Sequence, residues 1–349
     1  MKGLCVRHGE MRMKSGAIVE TKSMDAELRR YLDELSAAAP ALDGVTDTER
    51  LRIRRAVMID ALENRGEISG LPNRVEARDV TMAQGLAGRL YTPPDAEAPL
   101  PVLVYLHGGG WAAGSVETHD PFCRLLCAAA GAMILSVEFR LAPEHPYPAG
   151  LEDTLAAYHW AGEHAPGFGG DARRLALGGD SAGANLAAVA ANRICAEREA
   201  PQPAALMLLY PVMDHPSAGH ASYRERGTGC GLDASRMEWF WALYAAGVSP
   251  DNPEISPLRM NAVPALPPTL VATAEYDPLR DEGVKYAELL RAAGIAVTHL
   301  HAADMHHNFP VHPGTVMRFP QSVKALKEFA AWLKAAMQAA PHALPRPGA

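Results

Sequence analysis

The sequence predicts an α/β fold, a mostly parallel eight-stranded sheet with helices on both faces, and three observations carry that prediction. From Val102 onward, short apolar runs of strand length alternate with longer stretches of helical period. Ahead of them, Val75–Val80 and Leu86–Tyr91 are more polar and closely spaced, as in an antiparallel edge hairpin. The stretch 215–266 is rich in proline, glycine and aromatic residues and breaks the alternation, as an insertion would.

Taken in order, two helices open the chain. Ser23 is the expected cap of the first, which sets Leu28, Tyr31, Leu32 and Leu35 on one face. Thr46 and Glu49 form a capping-box pair for the second, which carries Leu51, Met58 and Leu62. After the hairpin, strands are expected at Val102–Leu106, Met133–Val137, Leu175–Leu177, Leu206–Tyr210, Thr269–Thr273 and Ala296–Leu300. Helices are expected at Pro121–Ala130, Gly150–His164, Ala184–Glu197, Asp281–Ala293 and Pro320–Gln338, with one more in the insertion near Ser235–Ala246. The tail after Pro341 reads as disordered. No internal repeat or low-complexity linker divides the chain.

Composition narrows the function. The 349 residues are 48% hydrophobic and 21% charged, which suits a globular protein with a sizeable core. A net charge of -7, with Lys and Arg scattered, gives no footprint for nucleic acid. No apolar run approaches the ~18 residues of a membrane span, and charge interrupts the first twenty residues too often for a secretory signal. Five cysteines form no paired framework, so a reducing cytoplasm is the expected compartment. Cys123 and Cys127 stand one helical turn apart, but no neighbouring histidine or cysteine pair completes a metal site.

The chemistry begins at Gly179-Asp-Ser-Ala-Gly183, where a buried strand runs through Ser181 into an alanine-rich helix. This is the G-x-S-x-G arrangement that exposes a serine on a sharp strand-to-helix turn. Flanking glycines let the turn close, and the helix N-terminus favours developing negative charge. Upstream, the strand Val102–Leu106 ends in His107-Gly108-Gly109-Gly110-Trp111. Consecutive glycines leave backbone N–H groups unshielded, and each such donor aimed at an alkoxide contributes ~3 kcal/mol to its stabilisation. Gly108, Gly109, Gly110 and Ala182 are the candidate donors. The loop lacks the lysine and hydroxyl residue of a phosphate-binding loop. His107 reads as a hydrogen bonder holding it.

A serine needs an imidazole to take its proton and a carboxylate to orient that imidazole. Asp277 stands just past the strand Thr269–Thr273, while Asp281, four residues on, better suits the start of the following helix as a cap with Glu282. After the last strand come His306 and His307, which cannot both face the serine, and chemistry alone does not choose between them. His299, His301, His306, His307 and His312 cluster in sequence but lack the paired helix-face spacing of zinc ligands, so no metal is expected.

These segments resemble the hormone-sensitive-lipase-like group of α/β-hydrolases, the bacterial family IV esterases, over nearly the whole chain after Val75. Besides the two glycine motifs, the resemblance rests on Asp277–Gly283 and on Glu138-Phe-Arg-Leu-Ala-Pro-Glu-His-Pro-Tyr-Pro-Ala149, a connection in which Arg140 and Glu144 are candidate braces. The family's closing His-Gly-Phe aligns with His307-Asn308-Phe309, which favours His307 as the base and leaves Asn308 as a departure. The resemblance ranks Gly109 first among the donors. It also implies a cap in two parts, 1–70 and 215–266, over a core formed by 71–214 and 267–340, with 341–349 as a tail. Trp111, Asp180, Trp239 and Trp241 are candidate pocket residues; the aromatics, with Phe240, equally suit a cap core.

The expected activity is that of a serine carboxylesterase acting on small esters with short to medium acyl chains, without cofactor, through Ser181, His307 and Asp277. A lactonase or amidase with the same triad is the nearest rival. A small-molecule receptor on the same fold is another, though the retained serine, acid and histidine argue against it. Oligomeric state is open, a homodimer through a sheet edge or nearby helix being frequent in the family.

Overall fold

The computed structural model describes residues 24–40, 44–63, 74–198 and 201–339, with the side chains of 60–63 excepted. Eight strands form one sheet: β1 (Glu76–Thr81), β2 (Ala87–Thr92), β3 (Leu100–Leu106), β4 (Met133–Val137), β5 (Gly170–Asp180), β6 (Ala205–Leu209), β7 (Thr269–Tyr276) and β8 (Val297–His306). Their order is β1-β2-β4-β3-β5-β6-β7-β8. The β1–β2 and β2–β4 pairs are antiparallel and the remaining pairs parallel. The expected edge hairpin and buried parallel centre are both present.

Helices among the described residues are α1 (Ala26–Ala38), α2 (Asp47–Glu63), α3 (Val116–Ala130), α4 (Ala149–His164), α5 (Ala182–Glu197), α6 (Ala221–Glu225), α7 (Ala234–Ala245), α8 (Arg280–Ala292), α9 (Pro313–Arg318) and α10 (Pro320–Ala339). Strand periodicity sorts the core into two layers. On β3, Val102, Val104 and Leu106 join one apolar cluster with residues of α4, α5 and α8, while Leu103 and Tyr105 join another with α1, α3 and α10. Both sheet faces are therefore dry, which explains the nearly continuous apolar runs of the central strands. None of the described helices is long and apolar enough to cross a membrane.

Several boundaries differ from the sequence reading, each for a local reason. β5 begins five residues before Leu175, because Asp171 accepts hydrogen bonds from Arg173 and Arg174 and holds that polar start in strand geometry. β8 continues to His306; as an edge strand it carries polar residues on an open face, which hid its second half. α3 starts at Val116, capped by a reciprocal Ser115–Thr118 pair, so Pro121 lies within the helix rather than opening it. The insertion holds two helices, α6 and α7, where one was expected.

The opening helices also differ in detail. Asp25 caps α1 through the Glu27 and Leu28 N–H groups; Ser23 and Leu62 lie outside what is described, as do the first twenty residues and the tail. Leu35 is exposed. Thr46 accepts the Glu49 N–H, but the Glu49 carboxylate turns to Arg52, so the capping box is half formed.

Candidate active site

The C-terminal ends of the parallel strands gather the chemistry, as the topology of such sheets requires. Between β5 and α5, Ser181 adopts φ 53 and ψ -118, a left-handed backbone that a non-glycine residue holds only under tight surroundings. Its flanks show why they are glycine. A Cβ on Gly183 would collide with the Leu106 and His107 carbonyl oxygens, and one on Gly179 with the Leu106 carbonyl and Gly183 itself. The Ser181 N–H is fixed by the Leu209 carbonyl at 2.9 Å.

His307 bridges the serine and Asp277. Its Nε2 lies 3.0 Å from Ser181 Oγ and its Nδ1 2.8 Å from Asp277 Oδ2. The other Asp277 oxygen accepts the Leu279 N–H at 2.9 Å, which locks the carboxylate's orientation. All three side chains are buried. Tyr210 stands edge-on to the His307 ring at 4.7 Å and limits its rotation.

His306, although adjacent, faces elsewhere. It sits in the second core layer beside the Tyr31 ring, with Nε2 3.5 Å from Thr315 Oγ1. Burial, with His312 and His307 nearby, pushes its pKa down to about 3. A strand ending at His306 turns the next side chain to the opposite face, which separates the two rings. The turn is completed by Asn308 at φ 72. Asparagine tolerates this left-handed region better than other side chains, which accounts for its place in this turn. Asn308→Gly should therefore keep wild-type kcat. Asn308→Val should lower the melting temperature and kcat together, because a branched Cβ costs about 1–2 kcal/mol there; thermal melts and steady-state kinetics measure both.

Asp281 does not approach the histidine. Its Oδ2 accepts the Ser222 N–H at 2.8 Å and so fastens α6 to α8. Glu282 likewise accepts the Met213 and Asp214 N–H groups, both at 2.6 Å. Burial pushes the Glu282 carboxyl well above the usual range despite those bonds. The pair caps neighbouring segments rather than its own helix.

The glycine loop corrects two expectations. Gly108 N–H is already committed to Asp180 Oδ1 at 2.9 Å, so it is not a free donor. Gly109, Gly110 and Ala182 N–H groups carry no hydrogen bond to another described residue. Asp180 was expected beside substrate; instead it is buried under the loop, accepting Tyr105 Oη at 2.7 Å, with His119 Nε2 at 3.3 Å. Burial alone would raise the Asp180 pKa, but His119, Tyr105 and the Gly108 N–H outweigh it and hold the carboxyl below its ordinary value. This brace links the residue before the serine to the glycine loop. His107 bonds the Gly108 carbonyl at 2.9 Å and stacks on Phe139; burial, with His119 nearby, lowers its pKa to about 3. It remains a neutral strut.

The aromatics divide. Trp111 stacks on Tyr244 at 4.3 Å and meets Trp241 at 4.9 Å, and both tryptophans are almost fully buried, so they form the joint between loop and insertion. Trp239 is half-buried against α2, donating to Asp47 Oδ1 at 2.9 Å. Phe240 covers Gly110, where a Cβ would collide with its ring. Arg55 of α2 reaches the Ala112 carbonyl at 2.8 Å and grips Glu144 with two hydrogen bonds, while Arg140 pairs with Asp153. His119, Tyr210 and Arg55 carry no motif signal; only their placement in the fold reveals them. His299 and His301 both bond Thr273 Oγ1, and no group of three metal-ligating side chains occurs among the described residues.

Comparison with known proteins places the chain in a family. Residues 103–311 match the family model described as the alpha/beta hydrolase fold. The chain is 39% identical over 299 residues to the carboxylesterase NlhH of Mycobacterium tuberculosis, covering 83% of this chain and 90% of that protein. It is 39% identical over 244 residues to an ethyl acetate hydrolase of Pseudomonas putida, covering 68% and 76%. Among solved structures it resembles a thermostable esterase from Pseudomonas putida, with TM-score 0.81 and 31% identity over 93% of this chain and 99% of that one. The chain belongs to the α/β-hydrolase fold family, within its hormone-sensitive-lipase-like group.

Proposed function

We propose that the protein is a serine carboxylesterase in which Ser181, His307 and Asp277 hydrolyse small carboxylic esters. The observation that carries this reading is the position of His307, with one ring nitrogen 3.0 Å from a serine hydroxyl and the other 2.8 Å from a buried carboxylate. Asp277 holds the proton on Nδ1, so Nε2 presents its lone pair to Ser181. Ser181 Oγ attacks the ester carbonyl as its proton passes to Nε2. The developing alkoxide is held by the N–H groups of Gly109, Gly110 and Ala182. His307 then protonates the leaving alcohol, and water repeats the sequence to release the acid.

The chain carries the triad as one contiguous hydrogen-bonded set, which favours an enzyme over a receptor. The insertion 215–266 and the opening helices act as a cap: Arg55 and Phe240 close over the glycine loop from these two segments. Such a cover favours short to medium acyl chains. Four buried free thiols, Cys123, Cys127, Cys195 and Cys230, suit a reducing cytoplasm. The edge strand β8 is the candidate face of a homodimer. A series of 4-nitrophenyl esters from acetate to laurate tests the substrate reading. We expect kcat/KM to peak at short to medium chain length; faster turnover of emulsified long-chain triglycerides would overturn it.

A further inference from the structure

One cluster of positive charge on α2 and α7 is not fully neutralised among the described residues. Arg50 and Arg54 lie four residues apart on α2 and so share a helix face. Their guanidinium groups stand 5.6 and 5.8 Å from the ring centre of Trp239. Arg236, in the first turn of α7, approaches them from the insertion. The Nε atoms of all three are buried and lack a hydrogen-bond partner among the described residues. Arg50 has Asp47 at 3.9 Å, and Arg236 has Asp233 at 3.5 Å. Arg54 has neither a hydrogen bond nor an ion pair to any described residue, whereas Arg55 beside it is fully engaged.

Nothing in the fold gains from this arrangement. Like charges at this helical spacing repel, and a partly buried cation without a counter-ion is unfavourable. Burial, with Arg236 and Arg50 nearby, pulls the Arg54 pKa down to about 10. The chain carries 40 acidic residues against 33 basic ones, so partners were not scarce. The Trp239 ring gives partial relief, and its Nε1 is tied to Asp47. Among the described residues three cations face two carboxylates, which leaves one positive charge unmatched there. Arg50 and Arg236 side chains remain 33% and 27% exposed, so the cluster opens to solvent.

The cluster adjoins residues that contact the glycine loop. Arg236 precedes Phe240, whose ring covers Gly110, by four residues, or about 6 Å along α7. Arg54 adjoins Arg55, which holds the Ala112 carbonyl two residues beyond Gly110. We propose that Arg50, Arg54 and Arg236 form an anion subsite that binds a free carboxylate carried by the ester substrate at the end remote from the scissile bond. A planar, singly charged carboxylate matches the guanidinium fork and the single unmatched charge; a phosphate dianion exceeds that charge. The substrate class is then the half-ester of a dicarboxylic acid, or the ester of a hydroxy acid. This rests on the esterase reading above.

The test compares kcat/KM for the 4-nitrophenyl half-ester of adipic acid with that for 4-nitrophenyl hexanoate, and for 4-acetoxybutanoate with pentyl acetate, in wild type and Arg54→Gln. We expect Arg54→Gln to lower kcat/KM about tenfold for the carboxylated member of at least one pair, chiefly through KM. The neutral members should change less than about twofold. Equal losses within both pairs, or no loss in either, would overturn the subsite. Should Arg54→Gln fail to fold, wild type decides alone: 0.5 M sodium chloride must raise KM for a carboxylated ester and spare its neutral counterpart, and an equal response overturns the proposal. Failure to hydrolyse any neutral ester would instead remove the esterase reading beneath it.

Discussion

Replacing Ser181 with alanine is expected to lower kcat by about 10⁵-fold, equivalent to about 7 kcal/mol of barrier, while the protein stays folded. No other group near the site replaces the lost nucleophile. Cys230, although buried in the same core layer as His306, has its thiol pKa raised by burial, and the described residues place no other hydroxyl against His307 Nε2. The residual rate would come from the glycine-loop amides and from binding alone. Alanine should also change the melting temperature by less than about 3 °C, because backbone hydrogen bonds of Ser181 to Leu209 and Asn185 hold the turn, while Oγ bonds only His307 Nε2 among the described residues. Esterase assays and thermal melts on one preparation separate the two effects. A variant retaining more than a tenth of wild-type turnover would contradict the assignment.

Asp277→Asn should cost nearly as much, about 10⁴-fold in kcat. The substitution preserves shape and removes charge, so the loss isolates the electronic role. An amide at this position donates through its NH₂ to Nδ1, which moves the histidine proton to Nε2. The ring then faces Ser181 Oγ with a hydrogen instead of a lone pair, and the serine proton has no acceptor. Leu279 N–H bonds Asp277 Oδ1 and fixes which atom of the amide faces His307. The oxygen stays on Leu279 and the NH₂ turns to the ring. Asp281→Asn provides the contrast: it weakens the Ser222 contact and the Arg280 pair, and should reduce kcat less than about threefold. Comparable losses for the two substitutions would mean that the carboxylate has been misassigned.

Much of this site is legible in the sequence because it depends on local geometry. Gly179 and Gly183 are glycine since carbonyls of a neighbouring strand end occupy the space of a Cβ, and a short motif records such close approach directly. The alternation of apolar runs recorded the sheet for the same reason: dry faces on both sides require apolar residues at consecutive positions. Asp277 was legible from its place just past a strand.

What the sequence obscured depends on contacts between distant segments. The choice between His306 and His307 turns on strand register at the end of β8, which neighbouring residues do not reveal and only the family pattern suggested. Asp180, a candidate pocket residue by sequence, is a buried brace instead. Its partners, Tyr105 and His119, lie 75 and 61 positions away in the chain, and the carboxylate they hold accepts the Gly108 N–H and removes it from the set of free amides. Trp111 and Trp241 have the composition of a binding wall but interlock with each other and Tyr244. Arg55 and Arg54 are indistinguishable as letters, yet one is saturated with acceptors and the other has none among the described residues.

His307 is placed to make one serine, Ser181, nucleophilic and no other. Treatment with an alkyl fluorophosphonate tests it directly, since the attacking oxygen displaces fluoride and keeps the phosphonate. Peptide mass spectrometry should find a single adduct per chain, on Ser181, and His307→Ala should slow its formation by at least about a hundredfold. An adduct on any other residue, no adduct at all, or labelling undiminished by His307→Ala would contradict the account.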